Sequence, residues 1–185
     1  MKSTNRFVPM ILACSVIVAT CLTPIALAYE DMGAVDIPRV RQEESRWCWA
    51  ACSESILRYY GKDVTQEDVV RYTYDSLVNS GALDADVQDA LSHWGVDGTL
   101  KADSVSSSII SGEIRDGNPL YAGWSWSLGE GHSLVIDGYD RTSGSMSVEY
   151  MDPADGAFHS STYSYFKGGA GYDHVWDGTI YNLTK

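Results

Sequence analysis

At Gly117-Asn118-Pro119 the sequence changes texture, and that change limits the folds open to it more than any other feature. Upstream, apolar residues recur at helical spacing. Ser45 to Tyr60 reads as one helix, with Cys52, Ile56 and Tyr59 or Tyr60 on a shared face and Gly61 as its stop. A second begins at Thr65, where Thr65-Gln66-Glu67-Asp68 resembles a capping box with Asp in place of Glu, and it turns Val69, Val70 and Tyr72 or Tyr74 inward. A third spans Ala85 to His93 before Gly95, and a shorter one covers Ser106 to Arg115. Downstream of Pro119 the segments are short, rich in β-branched or aromatic residues, and separated by Gly, Asp and Ser. Leu120 to Trp126, His132 to Tyr139, Ser145 to Met151, Ser161 to Phe166 and His174 to Tyr181 read as strands. Helices first and strands second imply an α+β domain, a helical half packed against an antiparallel sheet. A cleft between the halves is the natural place for a site.

The first 28 residues stand apart from this pattern. Lys2 and Arg6 give a positive start, Phe7 to Leu27 is apolar apart from a few Ser, Thr and Pro, and Ala26-Leu27-Ala28 supplies a small-x-small cleavage pattern. The stretch is about long enough for a membrane anchor, but Pro9 and Pro24 interrupt it and no positive stop follows. Too little apolar sequence precedes Cys14 for a lipoprotein signal. The expectation is a signal peptide over 1–28, cleavage after Ala28, and a secreted domain over 29–185 with no further membrane association.

The remaining 157 residues are enough for one domain with a sizeable core, and no repeat or linker divides them. Loss of Lys2 and Arg6 leaves 11 basic against 25 acidic residues, a net charge of −14. No basic patch exists, so nucleic acid is not expected as a partner. The acidity implies solubility and, at most, a leaning towards basic substrates. Cys14 and Cys21 depart with the signal, leaving Cys48 and Cys52. A disulfide-built secreted domain would carry more cysteines at wider spacing, so one of these two is expected to be kept for its reactivity.

The densest chemical signal is Gln42-Glu43-Glu44-Ser45-Arg46-Trp47-Cys48-Trp49-Ala50-Ala51-Cys52. Cys48 falls at the first turn of the first helix, where free N–H groups and the helix dipole favour a thiolate. A histidine facing it would make it a competent nucleophile. The alternative is a small buried hydrophobe between two core tryptophans. Cys52, one turn further on, reads as core, with burial raising its pKa. His132 follows the Gly-rich turn Gly129-Glu130-Gly131 at the head of a Leu-Val-Ile strand, and Asp152 ends the next strand before Pro153. Neighbouring strands could bring Asp152 to the far nitrogen of His132, although an Asp-Pro pair is also an ordinary turn start. His93, His159 and His174 receive no role. Trp124 and Trp126 are candidates either for substrate subsites or for core packing.

Taken together, Gln42, five residues, Cys48 within Trp-Cys-Trp-Ala-Ala, then Gly-His and Asp-Pro resemble the papain-like cysteine peptidases. The nearest branch is the compact bacterial one that includes staphopain-type secreted proteases, a plant-pathogen effector protease and bacteriocin-leader peptidases. The resemblance spans roughly Val35 to Phe166. It implies Cys48 as nucleophile, His132 as its ion-paired base, Asp152 as the third member and Gln42 as the oxyanion-hole amide beside the Cys48 backbone N–H. It also implies a papain-like fold, a protein or peptide substrate, a bacterial source and no cofactor or metal. The 13 residues from Tyr29 to Arg41 are too few for a long inhibitory propeptide, and no transporter region is expected after the domain.

Other readings of the same residues are a metal site built on Cys48, Cys52 and a histidine, and a catalytically silent binding module of the same fold. Cys-x-x-x-Cys spacing is unusual for zinc, and one helical turn is awkward disulfide geometry. Acyl transfer in place of hydrolysis, substrate preference and oligomeric state are open at this level. Asn182-Leu183-Thr184 fits a glycosylation acceptor.

Overall fold

The computed structural model describes residues 31–185, so the expected signal peptide and its cleavage point lie outside the described residues. Strand β1 (Met32–Ala34) comes first. Three helices follow: α1 (Cys48–Tyr59), α2 (Gln66–Tyr74) and α3 (Asp84–His93). Strand β2 (Asp97–Lys101) and helix α4 (Ser107–Arg115) complete the first part. Then come β3 (Leu120–Trp126), β4 (Gly131–Asp140), β5 (Ser147–Asp152), β6 (Ala157–Thr162), the one-turn α5 (Tyr163–Lys167) and β7 (His174–Thr184). The sheet is antiparallel throughout, in the order β2-β7-β3-β4-β5-β6, with β1 paired to the far half of β4.

The texture change at Pro119 therefore marks the switch from helices to sheet, with corrections. Two strands, β1 and β2, lie within the otherwise helical part. The strand expected over Ser161 to Phe166 is instead the end of β6 followed by α5. Thr162 explains the switch, because its side chain accepts from the Tyr165 N–H and caps a helix there. At Thr65 the capping box forms as expected, with Asp68 returning a bond to the Thr65 N–H.

Helix α1 is the hub. Trp49 to Leu57 is buried without a break, because α1 packs on β4 on one side and on α2 and α3 on others. Such a helix cannot keep a narrow apolar stripe, so small residues (Ala50, Ala51, Cys52, Ser53) fill its closest approaches. Ile56 and Leu57 join Val69, Val70, Val87 and Leu91 in the core. The N-terminus of α1 emerges at the head of β4, and that junction places the site.

Candidate active site

Cys48 is the first residue of α1, and no side chain caps the turn at Trp47. The free N–H groups and positive pole of the helix are therefore left at the thiol end. The tryptophans on either side are buried and hold this junction in place. Trp47 Nε1 donates to the Val78 carbonyl at 2.8 Å, and Trp49 Nε1 to that of Ser80 at 2.9 Å. Asn79 joins them, accepting from the Arg46 N–H at 2.9 Å and donating to Ser45 Oγ at 3.0 Å. These bonds tie the loop between α2 and α3 to the segment before Cys48, so that Gly81 and Leu83 become a wall of the cleft beside the thiol.

His132 sits at the head of β4, paired with Trp124 of β3. Val135 pairs with Met151 on β5, and continuing that register would set Asp152 opposite Leu134, diagonal to His132 on the same face. The side chains meet: His132 Nε2 lies 2.7 Å from Asp152 Oδ1. Asp152 is fixed by its own turn, since Oδ1 also accepts from the Ala154 N–H at 2.9 Å and its carbonyl accepts from Gly156. With Nε2 engaged by Asp152, Nδ1 is the ring nitrogen left for the hydrogen bond between His132 and Cys48.

The electrostatics follow from these contacts. Burial pushes the Cys48 thiol up, but His132, by hydrogen bond and by charge, together with side-chain and backbone bonds from Ser133, outweighs it and holds the thiol below its ordinary range. Burial pulls the His132 imidazole down, yet the bonds to Asp152 and Cys48 carry it up to about 9. Burial raises the Asp152 carboxyl and His132 overrides it, so the net shift is downward. The contacts therefore shift the site towards a thiolate–imidazolium pair backed by a carboxylate. Cys52, fully buried, is pushed far up by burial and stays a thiol; both cysteines are free. Among the described residues no three His, Cys, Asp or Glu side chains converge in a way that could hold a metal ion.

Gln42 stands beside the Asp152 turn, its backbone N–H bonded to the Pro153 carbonyl at 2.8 Å. Its Nε2 donates to the Glu44 carbonyl at 2.8 Å. The backbone around Gln42 is clamped by a residue that sequence reasoning left unassigned. Gln66, buried at the start of α2, accepts from the Glu43 N–H and donates to the Arg41 carbonyl, each at 3.0 Å. Ser133 was likewise missed, although its place next to His132 was a usable signal. Of the two tryptophans on β3, Trp124 is buried among Phe166, Tyr150 and His174 and also borders the cleft, whereas Trp126 lines a separate hollow with Tyr172 and His174. The three remaining histidines have structural partners. His93 stacks on Tyr72, His159 pairs with Asp155, and buried His174 bonds to Asp173 and the Tyr165 carbonyl.

A thiol at the head of a buried helix, an imidazole at the head of a facing strand and a carboxylate behind it, on this α+β scaffold, define a papain-like cysteine peptidase. The sequence model of the papain-like cysteine protease AvrRpt2 family matches residues 31–169, and the chain belongs to that family. Comparison with curated protein sequences gives no match. Solved structures share the fold. One is a double glycine motif protease from an AMS/PCAT transporter in complex with the leader peptide (TM-score 0.57, 19% identity, covering 82% of this chain and 95% of that one). Another is UfSP from C. elegans (TM-score 0.53, 11% identity, covering 84% of this chain and 34% of that one).

Proposed function

We propose that this cysteine peptidase is an exported enzyme that hydrolyses peptide bonds through Cys48, His132 and Asp152, with Gln42 completing the oxyanion hole. The observation that carries the reading is the continuous chain from the thiol at the head of α1 through His132 to Asp152, closed at 2.7 Å. Cys48 Sγ attacks the carbonyl carbon, and the C=O pair moves onto oxygen. That oxyanion is met by the Cys48 backbone N–H and a Gln42 Nε2 hydrogen. The primary amide has two hydrogens; one is used on Glu44, which orients the other. Collapse breaks the C–N bond as His132 Nδ1 delivers its proton to the leaving amine. Water then enters, gives a proton back to His132 and releases the acid, regenerating the thiolate. A peptide substrate is supported by the fold neighbour bound to a leader peptide, and export by the first 28 residues.

The test is labelling of the protein from Tyr29 onward by a papain-type epoxide inhibitor, mapped by peptide mass spectrometry. Label is expected at Cys48 alone and to slow at least tenfold in His132→Ala. Equal labelling of both variants, or of Cys48 and Cys52 alike, would remove the thiolate–imidazole pair from the mechanism. Gln42→Ala is expected to lower kcat by ~100-fold while Cys48 still labels, since only turnover develops the oxyanion.

A further inference from the structure

Next to Cys48 the cleft opens into a cavity of about 330 Å³, which shares Cys48, Gly131 and His132 with a larger groove of about 660 Å³. A peptide laid across the thiol would span both, with room for one of its side chains in the smaller cavity. Two carboxylates, Asp84 and Asp177, face that space, and none of the residues lining it is Lys or Arg.

The sheet is shaped around the first of them. Asp84 opens α3 and points onto Gly123 of β3 and Gly178 of β7, which are paired across the two strands. A Cβ at Gly123 would stand 2.9 Å from Asp84 Oδ1, and one at Gly178 only 1.6 Å from Oδ2. Any side chain at either glycine would evict the carboxylate. Asp177 precedes Gly178 on the exposed side of β7 and is held by Ser125 Oγ at 2.6 Å. Among the described residues neither carboxylate has an ion-pair partner. Burial and the charge of Asp177 push the Asp84 carboxyl up, while a hydrogen bond from Tyr121 holds it down. A neutral residue would sit in this dent at lower cost, so the unpaired charge points to a cation that arrives from outside. A purely structural role would account for the Asp84–Tyr121 bond, but not for a second carboxylate on the same wall.

We propose that this cavity is the subsite for a positively charged substrate side chain, lysine or arginine, with Asp84 and Asp177 as its specificity-determining residues. The inference rests on the peptidase reading above. It names the substrate class as peptides carrying a basic residue close to the scissile bond.

The test uses peptidyl epoxides of one backbone in which a single position carries arginine, neutral citrulline or glutamate, walked along the peptide, with Cys48 labelling as the readout. At one position arginine is expected to label about tenfold faster than citrulline, and glutamate slowest of the three. In Asp84→Asn and Asp177→Asn the arginine-to-citrulline ratio should fall to within about twofold, and Asp177→Lys should favour glutamate. Asp177 is exposed, so its variants report even if thermal melts show Asp84→Asn to be misfolded. Labelling of Cys48 at equal rates by arginine and citrulline at every position would overturn the subsite alone. So would a preference that survives both Asp177 substitutions, which would trace it to the general acidity of the surface. No labelling of Cys48 by any of the probes would instead defeat the peptidase reading, and the subsite with it.

Discussion

A partly buried thiol would normally hold its proton more tightly, and what works against this at Cys48 is a neighbour whose own charge is secured from behind. Asp152 holds His132 through Nε2, and His132 in turn favours the thiolate. The pH dependence follows with a definite sign. The ion pair of the proposed mechanism exists above the lowered Cys48 pKa and below the raised His132 pKa, so kcat/KM should rise at a pH below the ordinary thiol range and fall on the alkaline side near 9. Asp152→Asn removes the charge that raises His132, and the alkaline limb should move to lower pH with kcat reduced about 100-fold or more. A profile whose alkaline limb is the same in both proteins would detach Asp152 from His132. Cys52 offers the contrast one turn away. Wholly buried and with the charges of Cys48 and Asp152 near it, it stays protonated, and Cys52→Ala should leave the Cys48 labelling rate within about twofold. The residue types of the site were legible because chemistry restricts them: few sequences place Trp-Cys-Trp before a helix and Gly-His before a strand. Asp84 and Gln66 were not legible, because Asp and Gln are common and acquire meaning only from what the fold sets opposite them; Ser133 had only its place next to His132 to mark it.

Elements were legible where sequence punctuation and local periodicity agreed. Leu120–Trp126 is bounded by Pro119 and matches β3 residue for residue. Strand β2 carries Asp97 and Gly98 and has little strand character of its own; it forms because β7 supplies a pairing partner far away in sequence. The stretch from Ala157 to Phe166 has no clean alternation, and its strand-to-helix boundary is set by the Thr162 cap, a side-chain bond that periodicity does not register. The same dependence on partners governs the segment that carries Gln42. It has no regular structure, and Gln66 from α2 satisfies the backbone on both sides of it. Gln66→Leu would remove the partners of the Glu43 N–H and the Arg41 carbonyl, both in part-buried bonds, costing about 1–2 kcal/mol in stability. With Gln42 as the oxyanion donor proposed above, its amide moves with that backbone, and kcat should fall about tenfold even when measured well below the melting temperature, with Cys48 labelling less affected. A Gln66→Leu enzyme that melts early but turns over at the normal rate would make the clamp purely structural.

For the whole molecule, stability and catalysis place opposite demands on pH. Several carboxyls are pushed up by burial in this acidic chain: Asp84, Glu113, Glu149 and, furthest, Asp137, at about 7. Asp137 occupies the bulge where β4 slips between Ile136 and Gly138, is almost wholly buried, and has an Oδ1 with no partner among the described residues. Its carboxylate faces the charge of Glu149 on β5, to which burial adds the larger penalty. A carboxyl whose folded pKa lies above its unfolded value binds more protons when folded, so stability falls as pH rises from about 4 to about 7, and above that the full cost is present. The His132 imidazole, raised to about 9, likewise loses its contribution as pH rises above about 6.5, against which the lowered Cys48 gains one. The protein is therefore expected to melt at a higher temperature at pH 5.5 than at pH 8, whereas the proposed catalysis needs the Cys48 thiol ionised and so gains as pH rises towards the alkaline limb. Asp137→Asn keeps the shape and removes the charge. It should be nearly neutral at pH 5 and stabilising at pH 8 by roughly 2–4 kcal/mol, which for a chain of this size is about 5–10 °C in Tm. Melting curves of the two proteins across pH 5 to 8 decide it. If they stay parallel, Asp137 is already neutral or reached by water throughout, and the acid preference of the fold has to come from the less shifted carboxyls; if they diverge with rising pH, one buried charge in one bulge accounts for most of it.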